Sequence, residues 1–162
     1  MGALVHSDDA AMELALAEAR RCLQWDDVPV GAVVVRGTEV VASAGNERER
    51  RGDPTAHAVM VTLRDAASRL GTTSLRGVTI FCVQEPCVMC VGALLACDVD
   101  GLVYAVPDRI GGAAGGAVQV ADAASLPRRL TVVSGILGAD ALEFIAGATP
   151  VGGPARVARA AH

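Results

Sequence analysis

Between residues 7 and 25 the apolar positions Met12, Ala15, Leu16, Ala19 and Leu23 recur at intervals of three and four. That spacing predicts an amphipathic helix, with Ser7 as its N-cap ahead of Asp8 and Asp9. The period then shortens. Residues 30–36 and 39–44 are β-branched runs separated by Gly37 and Thr38, which predicts a hairpin. The next stretch, 45–54, is polar. Its Asn46-Glu47-Arg48-Glu49-Arg50-Arg51 run carries both charge signs and reads as a solvated loop.

Helical spacing returns over 55–70, opened by Pro54 and Thr55 and stopped by Gly71. Beyond it the pattern predicts a strand over 78–83, a helix over 87–97 and a strand over 102–106. A short strand over 130–133 and a last helix over 139–145 complete the series. The glycine-rich stretch 111–117 predicts a loop that wraps around something, or a simple turn. Strand-helix-strand alternation from residue 78 implies parallel crossovers covered by helices, hence a three-layer α/β/α architecture with a mixed central sheet. One domain is expected over residues 1–150, followed by a flexible tail of Gly, Pro and Ala at 151–162.

Composition agrees with a folded domain: 162 residues, 52% hydrophobic and 20% charged, which excludes disorder. The longest wholly apolar run, 88–97, is half of the roughly 20 residues needed to cross a bilayer, so no membrane span is expected. The N-terminal stretch lacks a basic-then-apolar layout, and the expected location is cytoplasmic. All 14 basic residues are arginine, and the net charge is -4, which argues against a general nucleic-acid coat but leaves room for a local arginine patch. Aromatics at 2% exclude an extensive base-stacking platform. A mean hydropathy of +0.41 predicts apolar surface buried against another subunit.

Five cysteines, an odd set in a chain without an export signal, do not suggest a disulfide framework. Cys22, Cys82 and Cys97 read as core, and Trp25 as a core edge. His6 and His162 lie near the chain ends, leaving His57 as the histidine around which a site could form. His57 opens one predicted helix, and Cys87 and Cys90 open another. Cysteines at i and i+3 share a helix face, so both sulfurs can meet one ion. Helix N-termini and zinc both favour thiolate, and three protein ligands leave a fourth position for water, the pattern of a catalytic zinc. A lone C-x-x-C also suits a redox pair or buried small residues.

The surroundings of these residues narrow that choice. Pro54-Thr55-Ala56-His57-Ala58-Val59, followed by Glu85-Pro86-Cys87-Val88-Met89-Cys90, resembles the H-x-E and P-C-x-x-C signature of the zinc-dependent cytidine and deoxycytidylate deaminase superfamily. Together with Pro29-Val30-Gly31-Ala32-Val33-Val34-Val35, Gly45-Asn46 and Gly112-Ala113-Ala114-Gly115-Gly116, these segments are similar to bacterial tRNA adenosine deaminases of the TadA type. The likeness covers about residues 8–147. It implies a cytidine-deaminase-like fold, Zn2+ on His57, Cys87 and Cys90, a nucleotide contact at Asn46, and homodimers that convert the wobble adenosine of a tRNA anticodon loop to inosine. Pro29, Val30, Ala56, Glu85, Pro86 and Asp108 are the further expected substrate-binding positions.

Three departures separate the chain from that pattern. Val59 occupies the position of the catalytic glutamate, the general acid and base that moves protons to the ring nitrogen and the leaving ammonia. A basic C-terminal helix is replaced by the tail, which keeps only Arg156 and Arg159. The acidic Cys97-Asp98-Val99-Asp100 stands where a basic sequence is usual. Glu85 is no spare base, because the family carries a glutamate there alongside the catalytic one. Glu47, Glu49, Asp53 and Asp108 read as loop residues. The noncatalytic subunit of the eukaryotic wobble-adenosine deaminase heterodimer carries a similar His-Ala-Val-Met string.

The leading expectation is therefore a protein that binds zinc and a nucleobase or tRNA, is inactive as written, as a noncatalytic subunit or a knockout variant, and works as a homodimer or as a heterodimer with a Glu-containing paralogue. The alternative is an active deaminase of a small nucleobase or nucleoside such as guanine or cytidine, using another base. A pure interaction subunit is the third reading.

Overall fold

The computed structural model of the chain describes residues 2–148. Helix α1 spans Asp8–Cys22; Ser7 caps it, its Oγ accepting the Ala10 N–H at 3.1 Å, and Asp8, Asp9, Arg20 and Arg21 complement the helix dipole. The helix ends three residues before the expected Trp25, because Leu23–Trp25 tightens into a 3-10 turn and Asp26 adopts a left-handed conformation. Strands β1 (Gly31–Arg36) and β2 (Glu39–Gly45) form the predicted hairpin.

The expected loop at 45–54 contains a one-turn helix, α2, over Arg48–Arg51. Its cause lies far upstream. The buried Asp27 carboxylate accepts the backbone N–H groups of Glu49 at 3.0 Å and Arg50 at 3.2 Å. Helix α3 covers Ala58–Leu70 and starts three residues later than expected. Asp53 Oδ1 accepts both the N–H and the hydroxyl of Thr55, so residues 53–57 form a turn that leaves His57 in an extended conformation at the N-cap.

Strand β3 (Val78–Gln84), helix α4 (Val88–Ala96), strand β4 (Gly101–Val106), strand β5 (Thr131–Ser134) and helix α5 (Gly138–Gly147) complete the fold. The sheet order is β2-β1-β3-β4-β5. The β1 pairings to β2 and β3 are antiparallel, and β3, β4 and β5 run parallel, giving the expected mixed sheet. Alternate strand residues divide between two cores. Val34, Ile80, Cys82 and Leu102 pack against Leu63 of α3 and Leu94 of α4. Val33, Phe81, Val83 and Val103 pack against Met12 and Leu16 of α1 and Ile145 of α5 on the other face. Burial on both faces explains why these strands read as continuous apolar runs.

The acidic turn after α4 is paired rather than left solvated. Asp98 faces Arg76 and Arg128, and Asp100 also meets Arg128 at 3.3 Å. Among the described residues no helix is long and apolar enough to cross a membrane. The tail expected at 151–162 lies outside the described residues.

Candidate metal centre

Two helix starts meet above one face of the sheet. His57 is the N-cap of α3, Cys87 the N-cap of α4, and Cys90 lies in the first turn of α4. The Cys87 and Cys90 sulfurs are 3.7 Å apart, and His57 Nδ1 stands 3.7 Å from the first and 3.6 Å from the second. Zn–S bonds of about 2.3 Å and Zn–N bonds of about 2.0 Å at tetrahedral angles require edges of roughly 3.8 Å between sulfurs and 3.5 Å from sulfur to nitrogen. The three donors therefore fit zinc without rearrangement. They are also the one set of metal-binding side chains found together among the described residues.

The thiols share a proton in a way that suits this role. Cys87 is lowered to about 4, first by the hydrogen bond from Cys90 and further by His57. Cys90 is raised by that same bond and by burial. Two adjacent thiolates are stable together only when a cation neutralises them. The other expected core cysteines behave differently: burial raises Cys22 to about 11 and Cys82 to about 12, beyond useful nucleophilicity.

A cleft of about 170 Å³ is bounded by these ligands and by Asn46, Val59, Glu85 and Asp108. Val30 and Pro86 also line it, whereas Pro29 and Ala56 do not; Ala56 is fully buried beside Ala44 and Val61. Val28, Ala58, Cys82 and Gln84 are lining residues that sequence reading missed, and Arg48, which the sequence offers as part of a local arginine patch for RNA, lines it as well. Gln84 stands directly before Glu85, so proximity to that motif residue is the signal that could have found it. A larger open groove of about 520 Å³ shares no residue with the cleft and gathers no metal-binding set.

Val59 is 2% exposed and puts methyl groups where the resemblance implies a carboxylate. The neighbouring acids are committed elsewhere. Glu85 is buried and accepts backbone N–H groups from Asp108 at 2.9 Å and from Ala114 and Gly116 at 2.8 Å. The glycine-rich loop thus wraps around this carboxylate, and a Cβ at Gly112 or Gly116 would overlap it. Asp108 accepts from Ile110, Gly111 and the Gln84 side chain. Glu47, Glu49 and Asp53 do not line the cleft; Glu47 pairs with Arg50 and Arg51, and Asp53 holds Thr55.

Comparison with known proteins accords with this geometry. Residues 5–106 match the cytidine and deoxycytidylate deaminase zinc-binding region. The chain is 34% identical over 119 residues to the tRNA-specific adenosine deaminase of Aquifex aeolicus, covering 74% of this chain and 79% of that one. With the Bacillus subtilis enzyme of the same description it shares 35% over 130 residues, covering 80% and 81%. A solved structure from work on A-to-I editing by tRNA:A34 deaminases superposes with a TM-score of 0.79 at 35% identity, covering 82% of this chain and 96% of that chain. A guanine deaminase from Nitrosomonas europaea, at 24% identity and a TM-score of 0.72 over 87% of this chain and 84% of that one, shares the fold. The chain belongs to the tRNA adenosine deaminase branch of the cytidine and deoxycytidylate deaminase family.

Proposed function

We propose that the chain is a zinc-binding, wobble-adenosine-deaminase-like protein that recognises an adenine nucleotide without deaminating it. It works in the cytoplasm as a homodimer or as the noncatalytic partner of a Glu-containing paralogue, on or beside a tRNA anticodon loop. The observation that carries this reading is Val59, buried in the first turn of α3 and lining the cleft beside His57. Zinc, when bound to His57, Cys87 and Cys90, supplies the acidity that turns water into a nucleophile. Deamination also requires a group that carries protons to the ring nitrogen and to the departing ammonia. Valine has no proton to move. Asn46 and the apolar walls remain able to bind and orient a base, so binding and turnover come apart.

An active deaminase of guanine or cytidine would need a free carboxylate in the cleft. Glu85 and Asp108 are the carboxylates lining it among the described residues, and hydrogen bonds engage both. The test is inosine formation, read by mass spectrometry, in an adenine-containing anticodon stem-loop incubated with the parent protein or with Val59→Glu, zinc being quantified in the same samples. The parent is expected to stay at background and the variant to turn over. Turnover by the zinc-loaded parent would overturn the reading.

A further inference from the structure

Three arginines in the short segment around α2 have different surroundings. Arg50 donates to Glu47 at 3.0 Å and lies 4.5 Å from the centroid of the Trp25 ring. Arg51 bonds the other oxygen of the same carboxylate. Glu47 thus neutralises much of the charge of this pair. Arg48 instead lines the zinc cleft with Asn46, His57 and Val59. Its Nε is shielded from solvent and has no hydrogen-bond partner among the described residues, and its guanidinium has no ion-pair partner there.

An arginine in this position lacks an acceptor, and the carboxylates lining the cleft are occupied by Gln84 and by backbone N–H groups. The shielded Nε is therefore open to an acceptor that a ligand would bring. The backbone of Arg48 is held for that purpose. Its N–H donates to Asn46 Oδ1 at 3.3 Å, and its carbonyl accepts from Asp53 at 3.1 Å. The side chain expected to touch the base is thereby tied to the backbone from which the Arg48 side chain extends. At about 170 Å³ the cleft is small for a whole nucleotide, so sugar and phosphate belong at its mouth, where the half-buried Arg48 lies.

We propose that Arg48 binds a phosphate of the nucleotide whose base enters the zinc cleft, so that the ligand is a phosphorylated nucleotide, free or within a strand, rather than a bare base or nucleoside. The planar guanidinium fork suits two phosphate oxygens at once. This assignment rests on the nucleobase reading of the cleft given above, and deepens it by naming the ligand class.

The test is isothermal titration of the zinc-loaded full chain with adenosine, adenosine 5′-monophosphate and an adenine-containing anticodon stem-loop, repeated with Arg48→Gln and Arg48→Lys. A charge-assisted phosphate contact predicts that at least one phosphorylated ligand binds about tenfold or more tighter than adenosine. Arg48→Gln should abolish that preference by weakening the phosphorylated ligands about tenfold more than adenosine, and Arg48→Lys should keep part of it. Preference for the monophosphate identifies a free nucleotide, and preference for the stem-loop alone a strand. Equal affinity for adenosine and both phosphorylated ligands overturns the assignment but leaves the nucleobase reading standing. So does equal weakening of all three by Arg48→Gln, which would mean that the arginine only packs. Failure of every adenine ligand to bind the zinc-loaded parent overturns both.

Discussion

Glu85 and Gly116, 31 positions apart, are joined by a hydrogen bond of 2.8 Å from the glycine N–H to the buried carboxylate. With the N–H groups of Asp108 and Ala114 on the same side chain, this bond ties the end of β3 to the glycine-rich loop. A charged hydrogen bond contributes about 1.5–3 kcal/mol, and an orphaned buried donor costs about 1–3 kcal/mol. Glu85→Ala should therefore lower unfolding stability by roughly 3 kcal/mol or more in urea titration, and Glu85→Gln by less, since its amide oxygen keeps one acceptor. A neutral Glu85→Ala would mean that the loop is held by other contacts.

Zinc should bind one per chain and should stabilise the fold. Elemental analysis is expected to find the metal with His57, Cys87 and Cys90 intact, and a chelator should lower the thermal midpoint. The proton count is a finer test. At pH 7 the metal-free Cys87, lowered to about 4, is already a thiolate, whereas Cys90, raised, still carries its proton. Zinc should displace about one thiol proton rather than two, measurable by titration in buffers of different ionisation enthalpy.

The same shift sets a pH dependence for the metal-free chain. Cys87 is depressed from an ordinary value of 9.0 to about 4, so the unfolded state binds more protons between these limits. Its contribution to stability is fully present above about pH 9 and is lost as pH falls toward 4. Stability of the chelated protein should therefore rise with pH across the acidic to neutral range. Alkylation at neutral pH should reach Cys87 first, with Cys22 at about 11 and Cys82 at about 12 protected until unfolding. Early labelling of Cys82 would contradict its place in the core.

Val59→Glu should raise turnover by at least roughly 10²- to 10⁴-fold over the parent, the span of general acid-base catalysis. Putting a carboxylate at a position 2% exposed should also cost about 1–3 kcal/mol in the zinc-free protein. That penalty should shrink when zinc is present, because the cation favours the charged form. Val59→Ala should leave activity at background. A silent but zinc-loaded Val59→Glu would locate the activity in a partner chain.

Dimerisation is expected through the surface beside the cleft. Val88 and Ile110 are 54% and 56% exposed, and a Cys87 to Gly112 bridge draws α4 and the glycine-rich loop together. Exposed apolar side chains at the rim of a site favour a partner surface. Light scattering at micromolar concentration should give twice the chain mass, falling to one chain mass for Val88→Asp combined with Ile110→Asp. An unchanged dimer would place the interface elsewhere.

The sequence alone determined most of the local structure and the metal set. Amphipathic spacing is a short-range property, so α1, the β1-β2 hairpin and α4 were legible to within a few residues. His57, Cys87 and Cys90 were legible as candidate donors from their chemistry and helix-start positions, and the resemblance of their flanking segments to the deaminase signature singled out zinc. Tertiary structure alone decided what depends on residues distant in the chain. Asp27 turns 48–51 into a helix from more than 20 positions away. The strand order, the capture of Glu85 by the glycine-rich loop and the placement of Arg48 in the zinc cleft also arise only on folding. A side chain's hydrogen-bond partners are chosen by which backbone donors packing brings within about 3 Å, and one-dimensional spacing does not encode that choice.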